Sequence, residues 1–120
     1  MRWALLNLGW LMLLVFESAC AEMRVAPAAI EVSLESGAFE ELCFELGAGQ
    51  SMRYTFDAGA PLEFNLHWHR GNEVLYPVRI DAIARIGGVF RAPQSEAYCL
   101  MWTNRMPSSV ALRARIDRAD

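Results

Sequence analysis

The sequence predicts an all-β fold, a small antiparallel β-sandwich of about seven to eight strands carrying one disulfide. Apolar and polar residues alternate with period two in segment after segment. Gly and Pro punctuate those segments at roughly 8–12-residue intervals. Two cysteines, Cys43 and Cys99, remain once an N-terminal export segment is set aside.

The strands follow in chain order. Ile30-Glu31-Val32-Ser33-Leu34 alternates and stops at Ser36-Gly37. Leu42, Phe44 and Leu46 alternate with Glu41, Cys43 and Glu45 up to Gly47-Ala48-Gly49. Met52, Tyr54 and Phe56 form the next apolar face, stopped by Gly59-Ala60-Pro61. Leu62, Phe64, Leu66 and Trp68 are interleaved with Glu63, Asn65, His67 and His69 before a Gly71-Asn72 turn. Val74-Leu75-Tyr76 starts another strand. Residues 78–86 read as strand or as one short helical turn, and strand is preferred. Val89-Phe90-Arg91 follows Gly87-Gly88. Tyr98, Leu100 and Trp102 alternate, and so do Val110, Leu112 and Ile116. The aromatic residues fall mostly at inward positions and are expected in the core, given the area each one buries.

The first 21 residues read as a secretion signal and residues 22–120 as the domain. Arg2 precedes the apolar run WALLNLGWLMLLVF, and Glu17 closes it before Ser18-Ala19-Cys20-Ala21. A membrane-spanning helix needs about 20 apolar residues, and this run is shorter. Ala19-Cys20-Ala21 is an A-x-A cleavage site that would release a protein starting at Glu22. In the alternative, Cys20 becomes the lipid-modified first residue of a lipoprotein. A membrane association is expected only through Cys20 or an uncleaved signal. Otherwise the destination is the periplasm or the exterior.

Export into an oxidising compartment makes Cys43 and Cys99 a disulfide pair. Closing that loop of about 56 residues should contribute about 4 kcal/mol on the chain-entropy account. The net charge is −3, with 11 basic residues, all arginine, against 14 acidic. Neither sign dominates, so no electrostatic case for a nucleic-acid partner arises. Glu40, Glu41 and Glu45 are expected to face Arg113 and Arg115 if the terminal strands are neighbours.

Glu41-Leu42-Cys43-Phe44-Glu45 and Tyr98-Cys99-Leu100-Met101-Trp102-Thr103-Asn104 resemble the two cysteine-bearing strands of GOLD domains, the lumenal β-sandwich modules of Golgi cargo receptors. Tyr54-Thr55-Phe56 fits that family's aromatic-x-aromatic strand. The resemblance covers about residues 39–117. It implies a disulfide-stapled sandwich with a binding role. It does not imply Golgi trafficking, because the membrane helix and coiled coil that carry that work have no counterpart in the 120 residues.

The leading functional expectation is therefore a non-enzymatic binding or accessory module with an envelope or extracellular protein partner. Tyr76-Pro77, Met101-Trp102 and Met106-Pro107 are candidates for its binding edge. The alternative is copper or zinc binding. Glu63, Asn65, His67 and His69 share one strand face, and two imidazoles at i and i+2 can ligate zinc or copper. Glu63 or Met101 is the candidate third ligand, with Glu73 and Met52 also within the possibilities. No catalytic residue is assigned. No serine sits in a G-x-S-x-G context, and a disulfide removes both cysteines as nucleophiles.

Overall fold

The computed structural model describes residues 27–119. The expected signal segment and Cys20 lie outside the described residues. Within them the chain forms six strands and no helix: β1 Ala28–Leu34, β2 Phe39–Leu46, β3 Ser51–Arg70, β4 Glu73–Arg91, β5 Glu96–Thr103 and β6 Val110–Arg118. All strand pairs are antiparallel, in the order β1-β6-β3-β5-β2, with β4 on the other side of β3.

Six strands stand where seven or eight are expected, because two punctuation signals lie within strands without ending them. Gly59-Ala60-Pro61 lies inside β3, which has 20 residues. The first half of β3 pairs with β6 as far as Ala58↔Leu112. The second half pairs with β5 starting at Glu63↔Thr103. Pro61 falls between these two ladders, where its missing N–H costs nothing. Along β4 the register passes from Asp57↔Arg85 to Leu62↔Ile83, so β3 carries extra residues at this point. Such a bulge bends a strand sharply. Residues 78–86 are strand, as preferred from the sequence, and Gly87-Gly88 also continues β4.

The bend folds the sheet over itself into a sandwich. One layer holds β1, β6 and the first half of β3. The other holds β2, β5 and the second half, and β4 follows β3 through both. Phe56 and Phe64, on opposite sides of the bend, have ring centroids 4.9 Å apart. Trp102 on β5 meets Phe56 edge-on at 5.7 Å. Inward residues of every strand join this core, with Phe64, Tyr98, Trp102 and Ile116 fully buried. The aromatic alternation thus fills the space between layers, as the sequence leads one to expect.

Other local features follow the residues closely. Arg70↔Glu73 closes β3 and β4 around a two-residue turn. Gly71 there has φ +60 while Asn72 has no positive φ, the pattern of a type II′ hairpin. The expected charge pairing does not form. β2 neighbours β5 and not β6, so Glu40, Glu41 and Glu45 lie away from Arg113 and Arg115. Arg113 instead meets Glu31 across β1–β6 at 3.4 Å, and Arg115 meets Asp117 at 2.8 Å. Trp102 is buried and cannot frame a docking edge, whereas Tyr76 remains exposed.

Candidate functional site

Antiparallel register places a set of polar residues on the outer face of the second layer. Asn65 lies opposite Met101, and Met101 opposite Glu41. In the next row His67 lies opposite Cys99, and Cys99 opposite Cys43. Side chains on one face of neighbouring strands are within reach of their direct and diagonal partners. Three strands therefore bring Glu41, Cys43, Cys99, Met101, Asn65 and His67 into one patch.

The Cys43–Cys99 disulfide is formed, joining directly opposed residues of β2 and β5. Glu41 Oε1 lies 3.3 Å from Cys43 Sγ. This is a contact and not a hydrogen bond, since a disulfide sulfur carries no proton. Glu41, Cys43 and Cys99 bring their ligand atoms within 4.8 Å of one another. While the bond is intact the sulfurs are not thiolates and do not act as a metal-binding pair.

The shared strand face does not leave both histidines in solvent. His69 is exposed, but His67 is only 6% exposed and Asn65 only 8%. Two rings flank His67. His69 stands edge-on with ring centroids 5.5 Å apart, and Tyr76 from β4 lies at 5.9 Å. Arg79 in turn places its guanidinium 5.0 Å from the Tyr76 ring. Alternation fixes which face a side chain takes, but not whether large neighbours on that face cover it.

Hydrogen bonding sets the His67 tautomer. Its Nδ1 lies 2.7 Å from Asn65 Oδ1, so the Nδ1 proton is donated to that oxygen. The Nε2 atom faces Glu41 Oε2 at 3.6 Å, beyond hydrogen-bond length. Burial lowers the pKa of His67, the Glu41 carboxylate acts against that shift, and His69 adds to it. In the neutral ring a bare nitrogen lone pair confronts a carboxylate oxygen. Protonation of Nε2 converts this contact into an imidazolium–carboxylate pair, which is how the Glu41 carboxylate favours the charged ring against the effect of burial.

The other residues named from the sequence divide. Glu63 is not drawn toward the histidines, because its carboxylate accepts from Arg105 Nε at 3.0 Å. Met101 sits across from Asn65 in the patch, half-buried. Glu41 is the residue that sequence reading missed as a partner of His67. The available signal was its place two residues before Cys43, on the face that the disulfide marks.

A second feature is β4 itself. It bonds to β3 along one side, and among the described residues no strand pairs with its other side. None of its residues is fully buried. Its inward row, Leu75, Val78, Ile80, Ile83, Ile86 and Phe90, packs against the core while remaining half-exposed. On the outer face Val89 is 59% exposed, Tyr76 45% and Val74 39%.

No family model matches this chain, and no curated protein matches it in sequence. Among solved structures, the pre-peptidase C-terminal domain of a collagenase from Bacillus anthracis is similar. It has a TM-score of 0.61 at 16% identity, covering 76% of this chain and 89% of that one. That likeness is one of fold. Two others are looser. A designed double-stranded β-helix gives a TM-score of 0.47 at 18% identity, covering 75% of this chain and 99% of its own. PliG, a periplasmic inhibitor of g-type lysozyme from Aeromonas hydrophila, gives 0.42 at 16% identity, covering 80% and 92%.

Proposed function

We propose that this domain is an exported, non-enzymatic binding module that docks an envelope or extracellular protein partner along β4. The observation that carries the reading is the state of β4. It is a strand of 19 residues, bonded on one side, with an apolar inner row that the rest of the sandwich leaves half-covered. Unpaired strand edges accept an added strand from a partner, and apolar rows beside them supply affinity.

Export is supported by the secretion-signal pattern of residues 1–21 and by the formed Cys43–Cys99 bond, which oxidising compartments allow to persist. The resemblance of the cysteine-bearing strands to GOLD domains agrees with a binding role.

The test is site-specific photo-crosslinking in cells that export the full chain. A crosslinker at Val89 or Val74 on β4 is compared with one at Ala111, an exposed position on β6. The expected result is a discrete adduct from the β4 positions alone. Identical adduct patterns from β4 and Ala111, or no adduct from β4, would overturn the reading.

A further inference from the structure

We propose that the strand docked on β4 is β4 of a second copy of this chain, in an antiparallel two-fold pair centred on Ile83. The assignment rests on the docking role of β4 and names its occupant. A second copy of an exported chain is itself a protein of the envelope or exterior.

β4 is self-complementary in this register. In a two-fold pair of identical antiparallel strands, residues equally distant from the axis oppose each other on one face. The inward row of β4 is defined by its register partners on β3. Val78 lies opposite Leu66, Ile80 opposite Phe64, Ile83 opposite Leu62, Ile86 opposite Phe56 and Gly88 opposite Tyr54. All five β3 residues are buried. The row advances by two residues, except on either side of Ile83, where it advances by three. It is therefore symmetric about Ile83. An axis there sets Val78 opposite Gly88 and Ile80 opposite Ile86 of the second copy, inward on inward. An axis one or two residues to either side would instead set Ile83 against Arg79, Asp81, Arg85 or Gly87, which are all exposed.

Charge follows the same symmetry. Asp81 falls opposite Arg85 of the second copy, and the axis repeats that pair. Arg79 falls opposite Gly87, so no like charges meet. Edge strands that resist pairing carry proline or an inward-pointing charge. From residue 78 to residue 88 β4 has neither, and Pro77 lies just outside that stretch. The bend fits as well. β4 pairs with the second half of β3 before Ile83 and with the first half after it. The axis thus continues the second layer of one copy into the first layer of the other, with the half-exposed apolar rows side by side.

The test is sedimentation equilibrium of the exported, disulfide-intact protein over a dilution series, repeated with Asp81→Arg, Arg85→Asp and the double variant. Both positions are exposed, and circular dichroism checks that each variant keeps the fold. A monomer–dimer equilibrium is expected. Each single reversal sets like charges opposite each other twice and should raise the dissociation constant by about ten-fold. The double reversal restores both opposite-charge pairs and should recover most of the affinity. The proposal is overturned if the chain is monomeric at every concentration or if neither single reversal weakens the dimer. It is also overturned if the double reversal associates no better than the singles. Crosslinkers at Val89 and Val74 separate this failure from that of the docking role. A dimer gives them an adduct of twice the chain mass. A monomer in which they still capture another protein loses only the second copy, whereas a monomer with no β4 adduct loses both readings.

Discussion

Tyr54 lays its phenol ring across Gly88, its register partner on β4. A Cβ at position 88 would stand 2.5 Å from Tyr54 Oη and 2.7 Å from Cζ, closer than real side-chain carbons approach. The glycine in the second half of Gly87-Gly88 is thus required by the ring and not by a turn. Its φ is not positive, so the backbone itself would accept another residue.

Gly88→Ala should therefore destabilise the domain by about 1–3 kcal/mol through overpacking. Combining it with Tyr54→Leu should recover part of that loss, because the clash disappears with the ring. A double-mutant cycle in urea measures the coupling. Strict additivity would show that the ring and the glycine do not constrain each other.

Tyr54 also predicts an alkaline limit to stability. Burial raises its pKa above 10.0, and Tyr98 shifts the same way, chiefly through burial, against the hydrogen bond it donates to Gln94 O. Above pH 10 the unfolded chain loses these protons before the folded one does. The folded state then binds more protons, so stability falls as pH rises through that window and is unaffected below it by these groups. Urea midpoints from pH 8 to 11, read beside phenolate absorbance, check this. The decline should be smaller in Tyr54→Phe, and an equal decline in that variant would dissociate Tyr54 from it.

Much of this sandwich is written in the alternation of its strands, since Tyr54, Phe56, Phe64, Trp68, Tyr98 and Trp102 all take the inward face it assigns them. What alternation does not encode is continuity. Gly59-Ala60-Pro61 and Gly87-Gly88 carry the composition of turns, yet one is a bend within β3 and the other a glycine pair under an aromatic ring. The candidate site was legible as far as the shared face of His67 and His69. The partnership of Glu41 with His67 depends on β5 lying between β2 and β3, and strand order is not visible in local periodicity.

Asn104 is fully buried where the chain leaves β5, and every polar atom of its side chain is used. Its Nδ2 donates to Leu34 O and Ser108 O, each at 2.9 Å, and its Oδ1 accepts from Met106 N at 2.8 Å. Asn104→Ala strands these three backbone groups, and the expected loss is on the order of 3 kcal/mol. Asn104→Asp should also be costly, because a carboxylate cannot donate to the two carbonyls. Denaturant unfolding of both variants is the measurement. A loss below about 1 kcal/mol for alanine would mean that water replaces the side chain.

The disulfide joins Cys43 and Cys99 across strands that already pair from Phe39↔Thr103 to Leu46↔Glu96. The ladder holds these positions together whether or not the sulfurs are bonded, so the bond acts mainly on the unfolded chain. Its sequence separation of 56 gives a stabilisation of about 4 kcal/mol on the chain-entropy account. That is a large share of the roughly 5–15 kcal/mol that holds a domain together. A Cys43→Ala/Cys99→Ala variant should keep its strand content while its denaturant midpoint falls. Its m-value should rise as well, because an uncrosslinked unfolded chain exposes more surface. Circular dichroism followed through a urea titration reads all three. An unchanged midpoint would mean that the bond leaves the unfolded ensemble unrestricted. A lost β signal in the absence of urea would mean that the fold depends on the crosslink for its existence, beyond its margin of stability.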